Sequence, residues 1–317
     1  MTKFSILIPT YNGSKFVKQA IESCMNQTYR DFEIIVRDDG STDNTIELIK
    51  DFGLQKVTLL NDSLGNLGLF GNINQMLRHA KGQFIQVLCQ DDRLKPFCLK
   101  KIEEVLQTLP DLAILFMEYS IIDSDQKRLR HVTQTLPFIF WNRNQCDLIM
   151  SRLGCIPGNL SPIIFRRDRI SDLGPFNPQL KVSGDFDFLE RWASMCGLGF
   201  IREELMDVRD HSTRFSRSSS SLALFGYESD PIFDRIIFRI PFPQKIKAQI
   251  FRILKHEMHC FHLIIVSLLV YRCPLEIWMP AFHRKNKLRL LLGGISWVCF
   301  LNGKLGIYSR MIKLLNI

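Results

Sequence analysis

Asp91-Asp92 close the apolar run Phe84–Leu88, and two adjacent carboxylates at a strand end are costly unless something positive sits beside them. A hard divalent cation such as Mg2+ or Mn2+ is a natural partner, since it takes oxygen ligands and bridges to diphosphate oxygens. A solvated strand-end turn presents the same pair. Asp38-Asp39-Gly40-Ser41-Thr42-Asp43 follows a second apolar run. A carboxylate there can accept the ring N–H of a pyrimidine, and Ser41 or Asp43 can equally cap the next helix. Pro9-Thr10-Tyr11-Asn12 follows a third run and offers Tyr11 for base stacking, worth about 1–3 kcal/mol, or simply as a rim aromatic. Asp185, behind Gly184 at the start of a helical pattern, suits either a general base on a hydroxyl or an N-cap. Arg209 and His211 can both reach a diphosphate, though both types are commonly exposed on ordinary loops.

The surrounding pattern says what must hold these residues. Strands are expected at 4–8, 32–36, 57–60, 84–88, 113–117 and 163–165. Helices are expected at 17–25, 45–52, 73–81, 99–109 and 185–195, with a Gly/Asn-rich loop over 61–72. Strand and helix alternate about every 25–30 residues, which argues for βαβ units and a mainly parallel sheet. The polar clusters after the first, second and fourth strands then fall along one sheet edge, where open α/β sheets bind ligands. The segment 123–152 carries no clear pattern.

The order and spacing of these elements resemble the inverting glycosyltransferase family 2, with its GT-A fold. The residues carrying the resemblance are Pro9-Thr10-Tyr11-Asn12, Gln27-Thr28, Phe32-Glu33, Asp38–Asp43, Asn66-Leu67-Gly68, Asn74, Gly82 and Gln90-Asp91-Asp92. Looser matches follow at Phe165-Arg166-Arg167, Leu173–Phe176, Gly184-Asp185 and Arg209-Asp210-His211. The resemblance covers about residues 3–215. It implies a Rossmann-like, mostly parallel sheet flanked by helices, and transfer of a sugar from a nucleotide-diphosphate donor to a hydroxyl acceptor. Thr10, Tyr11 and Asp39 would hold the base, with Asp38 beside them and a lean to uridine or thymidine. Asp91 would touch the ribose or donor sugar, Asp92 together with Asp91 would hold Mg2+ or Mn2+, and Asp185 would be the catalytic base. Arg209 and His211 would lie near the diphosphate on a loop. Two positions depart from the family: Cys89 stands where an acidic run begins, and Asn72-Ile73-Asn74 replaces Ala-Arg-Asn.

The division expected from composition is a catalytic domain over 1–215, a flexible Ser-rich linker over 216–230 and a helical C-terminal extension over 231–317. The chain of 317 residues carries a net charge of +9, placed unevenly. From Pro231 onward there are 14 Lys/Arg against 3 Asp/Glu, so the excess belongs to the tail. Its apolar runs, 260–271 and 290–301, are shorter than the roughly 20 residues a spanning helix needs. The tail is expected either to lie on an anionic membrane surface, within reach of a glycan or lipid-linked acceptor, or to pack as helices, including as a homo-oligomer contact. Nucleic acid is not expected, because the tail's charge is interleaved with aliphatic rather than exposed aromatic residues. Nine scattered cysteines without a Cys-x-x-Cys pair, and a first segment that reads as a strand rather than a secretion signal, lead to an expectation of a cytoplasmic protein, peripheral on the inner face of the cell membrane. A dinucleotide oxidoreductase would need Gly-x-Gly-x-x-Gly where Pro9–Ser14 stands. A non-catalytic sugar-nucleotide or glycan-binding module of the same fold remains the alternative.

Overall fold

Strand β1 (Phe4–Thr10) is apolar and fully buried, so it needs strands on both sides. It has parallel partners in β2 (Phe32–Asp38) and β4 (Phe84–Val87), and β2 pairs in parallel with β3 (Thr58–Leu60). The computed structural model describes residues 2–53, 57–60, 62–133, 139–211 and 219–252. Beyond β4 the sheet continues through β9 (Ile163–Arg166), β6 (Ile114–Ile122), β10 (Leu198–Arg209) and the short β5 (Arg93–Leu94). Strand β9 is antiparallel to both neighbours, whereas β10 runs parallel to β6. The strands β7 (Arg128–Val132) and β8 (Phe140–Trp141) attach to β6 and β10.

The parallel pairings require crossovers, and helices supply them. They are α1 (Val17–Met25), α2 (Thr45–Lys50) and α3 (Gly68–Leu77); α4 (Cys98–Thr108) follows β5 and leads to β6. Helix α1 buries Val17, Ala20, Ile21 and Cys24, the face its spacing predicts. Helix α3 begins five residues before the expected start, because the Asn66 side chain accepts the Gly68 N–H and the Leu67 N–H is anchored on Asp39. The segment without a clear pattern holds β7, β8 and α5 (Arg143–Leu153). Helix α6 (Ile170–Leu173) leads to α7 (Gly184–Cys196), which packs by aromatic stacking. Phe188 lies 4.0 Å from Phe176, and Trp192 lies 5.2 Å from Phe165 on β9.

Several family-like motifs serve this frame. Gln27 donates to Lys95 O and accepts from Leu99 N–H, tying α1 to α4. Glu33 accepts from the Ser5 hydroxyl and the Lys81 N–H. A Cβ at Gly82 would come within 2.4 Å of Ser5 N, so only glycine fits this crossing.

The chain divides into two units, 1–146 with 155–212, and 147–154 with 213–317. In the second unit the stretch expected as a flexible linker is helical from Ser219, within α8 (Ser219–Arg239). The stretch is continuous with an apolar face further along the same chain, where Ile232, Phe233, Ile236, Ile237 and Ile240 are buried at helical spacing in the part expected to be helical. Arg239 pairs with Asp147, and α9 (Gln244–Phe251) follows a short turn. The runs 260–271 and 290–301 lie outside the described residues.

Candidate active site

Thr10 and Asp38 end the paired strands β1 and β2, which brings their loops side by side. The two loops are laced together. Asp39 N–H donates to Thr10 O (2.8 Å), Asn12 N–H to Ser41 Oγ (2.7 Å), Thr42 N–H to Asn12 Oδ1 (2.8 Å) and Gly13 N–H to Thr45 Oγ1 (2.8 Å). Asn12 adopts φ of 48°, which asparagine tolerates better than most residues. Burial pushes the Asp43 carboxyl up, but hydrogen bonds from Thr45 and Ser14 outweigh it and carry the pKa down to about 2. Asp38 accepts from the N–H groups of Gly40 and Ser41 and from the hydroxyls of Ser41 and Thr10. Asp38 and Thr10 thus shape the loop rather than face outward.

Asp39 differs. Its Oδ1 accepts from Arg37 Nη1 (2.8 Å) and from Leu67 N–H (2.8 Å), while Oδ2 has no hydrogen bond among the described residues. Arg37 is fully buried and also forks onto Asp62 at 2.7 and 2.8 Å. The Asp62 hydrogen bond raises the Arg37 pKa against burial, and Asp39 adds to the rise; Arg37 in turn lowers that of Asp62. Sequence reasoning missed Arg37. Its only signal was a basic residue at the end of a strand expected to be buried, next to the two carboxylates Asp38 and Asp39.

The loop after β4 is fastened to the other side of Tyr11. Tyr11 N–H donates to Gln90 Oε1 (2.9 Å), and Gln90 Nε2 donates back to Tyr11 O (3.0 Å). The Tyr11 ring is half exposed. A Cβ at Gly13 would stand 2.1 Å from Gln90 Oε1, so glycine makes room for the clasp.

The adjacent aspartates have different surroundings. The Asp92 residue is 2% exposed, and its carboxylate accepts from the Ser161 hydroxyl (2.6 Å) and Arg209 N–H (2.9 Å). It ties the end of β4 to the turn before β9 and to the end of β10. The Asp91 side chain is 23% exposed, with Oδ2 lying 3.1 Å from His211 Nε2. Arg209 is the last residue of β10, not part of a loop, and is fully buried. Its guanidinium donates to Asp91 O, Asp123 O, Ser124 O and Gln19 Oε1, and it lies over the Phe16 ring at 4.4 Å. Burial and the nearby Arg93 lower its pKa, opposed by Asp91, Asp92 and Asp207. The expected loop position of Arg209 is therefore a strand end, and its donors hold the backbone that carries Asp91. Phe16 also meets the His211 ring at 5.1 Å, so one aromatic supports both residues.

Asp185 sits in the first turn of α7, partly exposed. Its neighbours lead back toward two of these loops. The ring of Phe70 on α3 lies where a Gly184 Cβ would be, 2.4 Å away, and α3 starts beside the Leu67 N–H that binds Asp39. Cys155 feels Asp185 as well: burial first, then the Asp185 charge, push the thiol pKa well up. Cys155 opens the turn that ends at Ser161, the partner of Asp92.

Residues 5–163, just over half of the chain, match the sequence pattern described as Glycosyl transferase family 2. The chain belongs to glycosyl transferase family 2. An uncharacterised glycosyltransferase of Rickettsia typhi is 28% identical over 68% of this family 2 chain and 66% of its own length. One from Nostoc sp. is 28% identical over 69% of the chain and 68% of its own length. Against an uncharacterised glycosyltransferase of Rickettsia felis, the matched part is 36% of that protein's length, so the chain spans about a third to two thirds of these relatives. Chondroitin synthase of Escherichia coli is 37% identical over 29% of the chain and 13% of its own length. In fold, the chain is similar to TarS residues 1–349 of S. aureus, solved with UDP-GlcNAc (TM-score 0.64, 14% identity, 95% and 92% of the two chains). It is also similar to a mannosyltransferase from Pyrobaculum calidifontis, solved with GDP-Man and Mn2+ (TM-score 0.58, 15% identity, 93% and 87%). The fold is thus the GT-A fold.

The donor set of this family 2 chain can be tested against a divalent cation. Among the described residues no group of three or more His, Cys, Asp or Glu side chains forms a complete cage. Mg2+ and Mn2+ do not need one, since Mg2+ at nucleotide sites is held by one or two carboxylates with phosphate oxygens and water completing the shell. Asp91 with His211 beside it fits that mode. Cys89 supplies no carboxylate, and Asp92 is already engaged with Ser161 and Arg209.

Proposed function

We propose that this chain is an inverting glycosyltransferase that moves a sugar from a nucleotide-diphosphate donor to a hydroxyl of a glycan or lipid-linked acceptor, in the synthesis of cell-surface polysaccharide or glycolipid. The observation that supports it most is the shared rim: Asp39, Tyr11 and Asp91 stand on loops at the carboxyl ends of the adjacent strands β2, β1 and β4, and His211, just beyond β10, reaches Asp91; Asp39–Thr10, Gln90–Tyr11 and Asp92–Arg209 hydrogen bonds lace these segments together. Asp39, with Oδ2 open and Oδ1 fixed by Arg37, accepts the ring N–H of the base while Tyr11 covers its face. Asp91 and His211 would hold Mg2+ or Mn2+, which would supply charge stabilisation to the departing diphosphate, and Asp92 keeps Asp91 in place from behind. Asp185 takes the proton from the acceptor hydroxyl as that oxygen attacks the anomeric carbon in line, a role typically worth about 10²–10⁴ in rate. The basic tail keeps the enzyme on an anionic membrane surface, where a lipid-linked acceptor is presented.

A panel of nucleotide-sugars incubated with the chain and Mn2+ tests this reading by release of nucleoside diphosphate. Release from one donor is expected, and its loss in Asp185→Asn with donor binding retained. Binding of donors without turnover under any acceptor would instead make the chain a sugar-nucleotide-binding module.

A further inference from the structure

Helix α8 buries one face and ends at an exposed corner. Phe238 is 80% exposed and Phe242 is 76% exposed, with Ile246 exposed one turn further on α9. These are the most exposed phenylalanines among the described residues, and they follow one another four residues apart. The opposite face is fixed: Ile236, Ile237, Ile240 and Ala248 are buried, and Arg252 is held by Asp230 and Asp234. The corner is therefore not a frayed end. Lys245 pins it by donating to Phe238 O (3.1 Å) while its Nζ lies 5.1 Å from the Phe238 ring centre.

We infer that the Phe238–Phe242–Ile246 corner is the element that inserts into an anionic lipid surface. This deepens, and rests on, the membrane part of the proposed function. Charge selects this occupant. Between Asp234 and Glu257 the sequence has six Lys/Arg and no acidic residue. Arg239 and Arg252 are neutralised by Asp147 and by Asp230 with Asp234; of the other four, Lys245 and Lys247 lie between and beside Phe242 and Ile246 in the sequence. Rings that enter the acyl boundary, with ammonium groups left at headgroup level, are how a helix lies on a bilayer rather than crossing it. No described helix is long and apolar enough to cross.

The test is flotation of the full chain with vesicles of about one part phosphatidylglycerol to two parts phosphatidylcholine, against vesicles of phosphatidylcholine alone. The wild-type chain is expected to float with the anionic vesicles. Phe238→Ser/Phe242→Ser should lower the partition by about tenfold or more, from the apolar burial lost. Lys245→Gln/Lys247→Gln should lower it by about fivefold per charge. Phe238, Phe242 and Lys247 are exposed and Lys245 is half-buried, and none of them is a residue of the proposed active site, so both variants should keep wild-type donor hydrolysis. If the serine variant floats like wild type, the corner is wrong and membrane binding stands. If wild type does not float, both are overturned, while hydrolysis still reports separately on the enzyme. A wild-type dimer that the serine variant turns into a monomer, without vesicle binding, makes the corner a contact between copies and also overturns the inference.

Discussion

Asp91→Ala and Asp92→Ala are adjacent changes with opposite expected consequences. The Asp92 carboxylate is buried and accepts from Arg209 N–H and the Ser161 hydroxyl. Its removal leaves the Arg209 N–H without an acceptor, at about 1–3 kcal/mol, and takes about 1 kcal/mol of hydrogen bonding from Ser161. The sum, about 2–4 kcal/mol, is a large part of a domain stability of about 5–15 kcal/mol. Asp91 is partly exposed, and its contact with His211 is worth at most about 1 kcal/mol. Asp91→Ala should therefore fold almost as wild type but lose Mn2+-dependent donor binding. Even partners behind a metal ligand cost about 10–100-fold in affinity, so loss of the ligand should exceed that. Urea unfolding gives the first quantity and calorimetric titration of donor with and without Mn2+ the second. An Asp92→Ala protein with wild-type stability and no Mn2+ dependence, beside an Asp91→Ala protein that keeps it, would refute the assignment of cation to Asp91 and strut to Asp92.

Asp185→Asn should retain donor affinity while turnover falls by about 10²–10⁴ in single-turnover assays. Arg37→Met strips a buried cation from Asp39 and Asp62, and breaking such a pair costs about 3–5 kcal/mol. Asp62→Asn should cost less, since its side chain is partly solvated, and urea midpoints would separate the two. Gly13→Ala forces Gln90 off the Tyr11 backbone, so donor affinity should drop as in Gln90→Ala with little change in thermal midpoint. The folded-state pKa of Asp43, about 2, lies below its ordinary 3.8. Its contribution to stability is thus complete above the ordinary value and lost as pH falls through about 2. Asp43→Asn should flatten that acid limb of a stability–pH curve.

What the sequence determined by itself was local or periodic. Helix α1 and the parallel strands β1, β2 and β4 follow from alternating apolar runs and polar turns, each readable in a short window. Their order implies the parallel sheet and the edge where Asp39 and Asp91 lie. The rest depended on distance along the chain. Strand β10 keeps charged residues at Arg202, Glu203 and Glu204, which hid a twelve-residue strand and placed Arg209 on a supposed loop. The first half of helix α8 looked like a serine linker, whereas its second half, with the buried isoleucines, was expected to be helical. Which of two neighbouring aspartates faces outward was decided by Ser161 and Arg209, 69 and 117 residues further on. A side chain's burial is set by such remote partners, whereas its identity and spacing are all that a sequence displays.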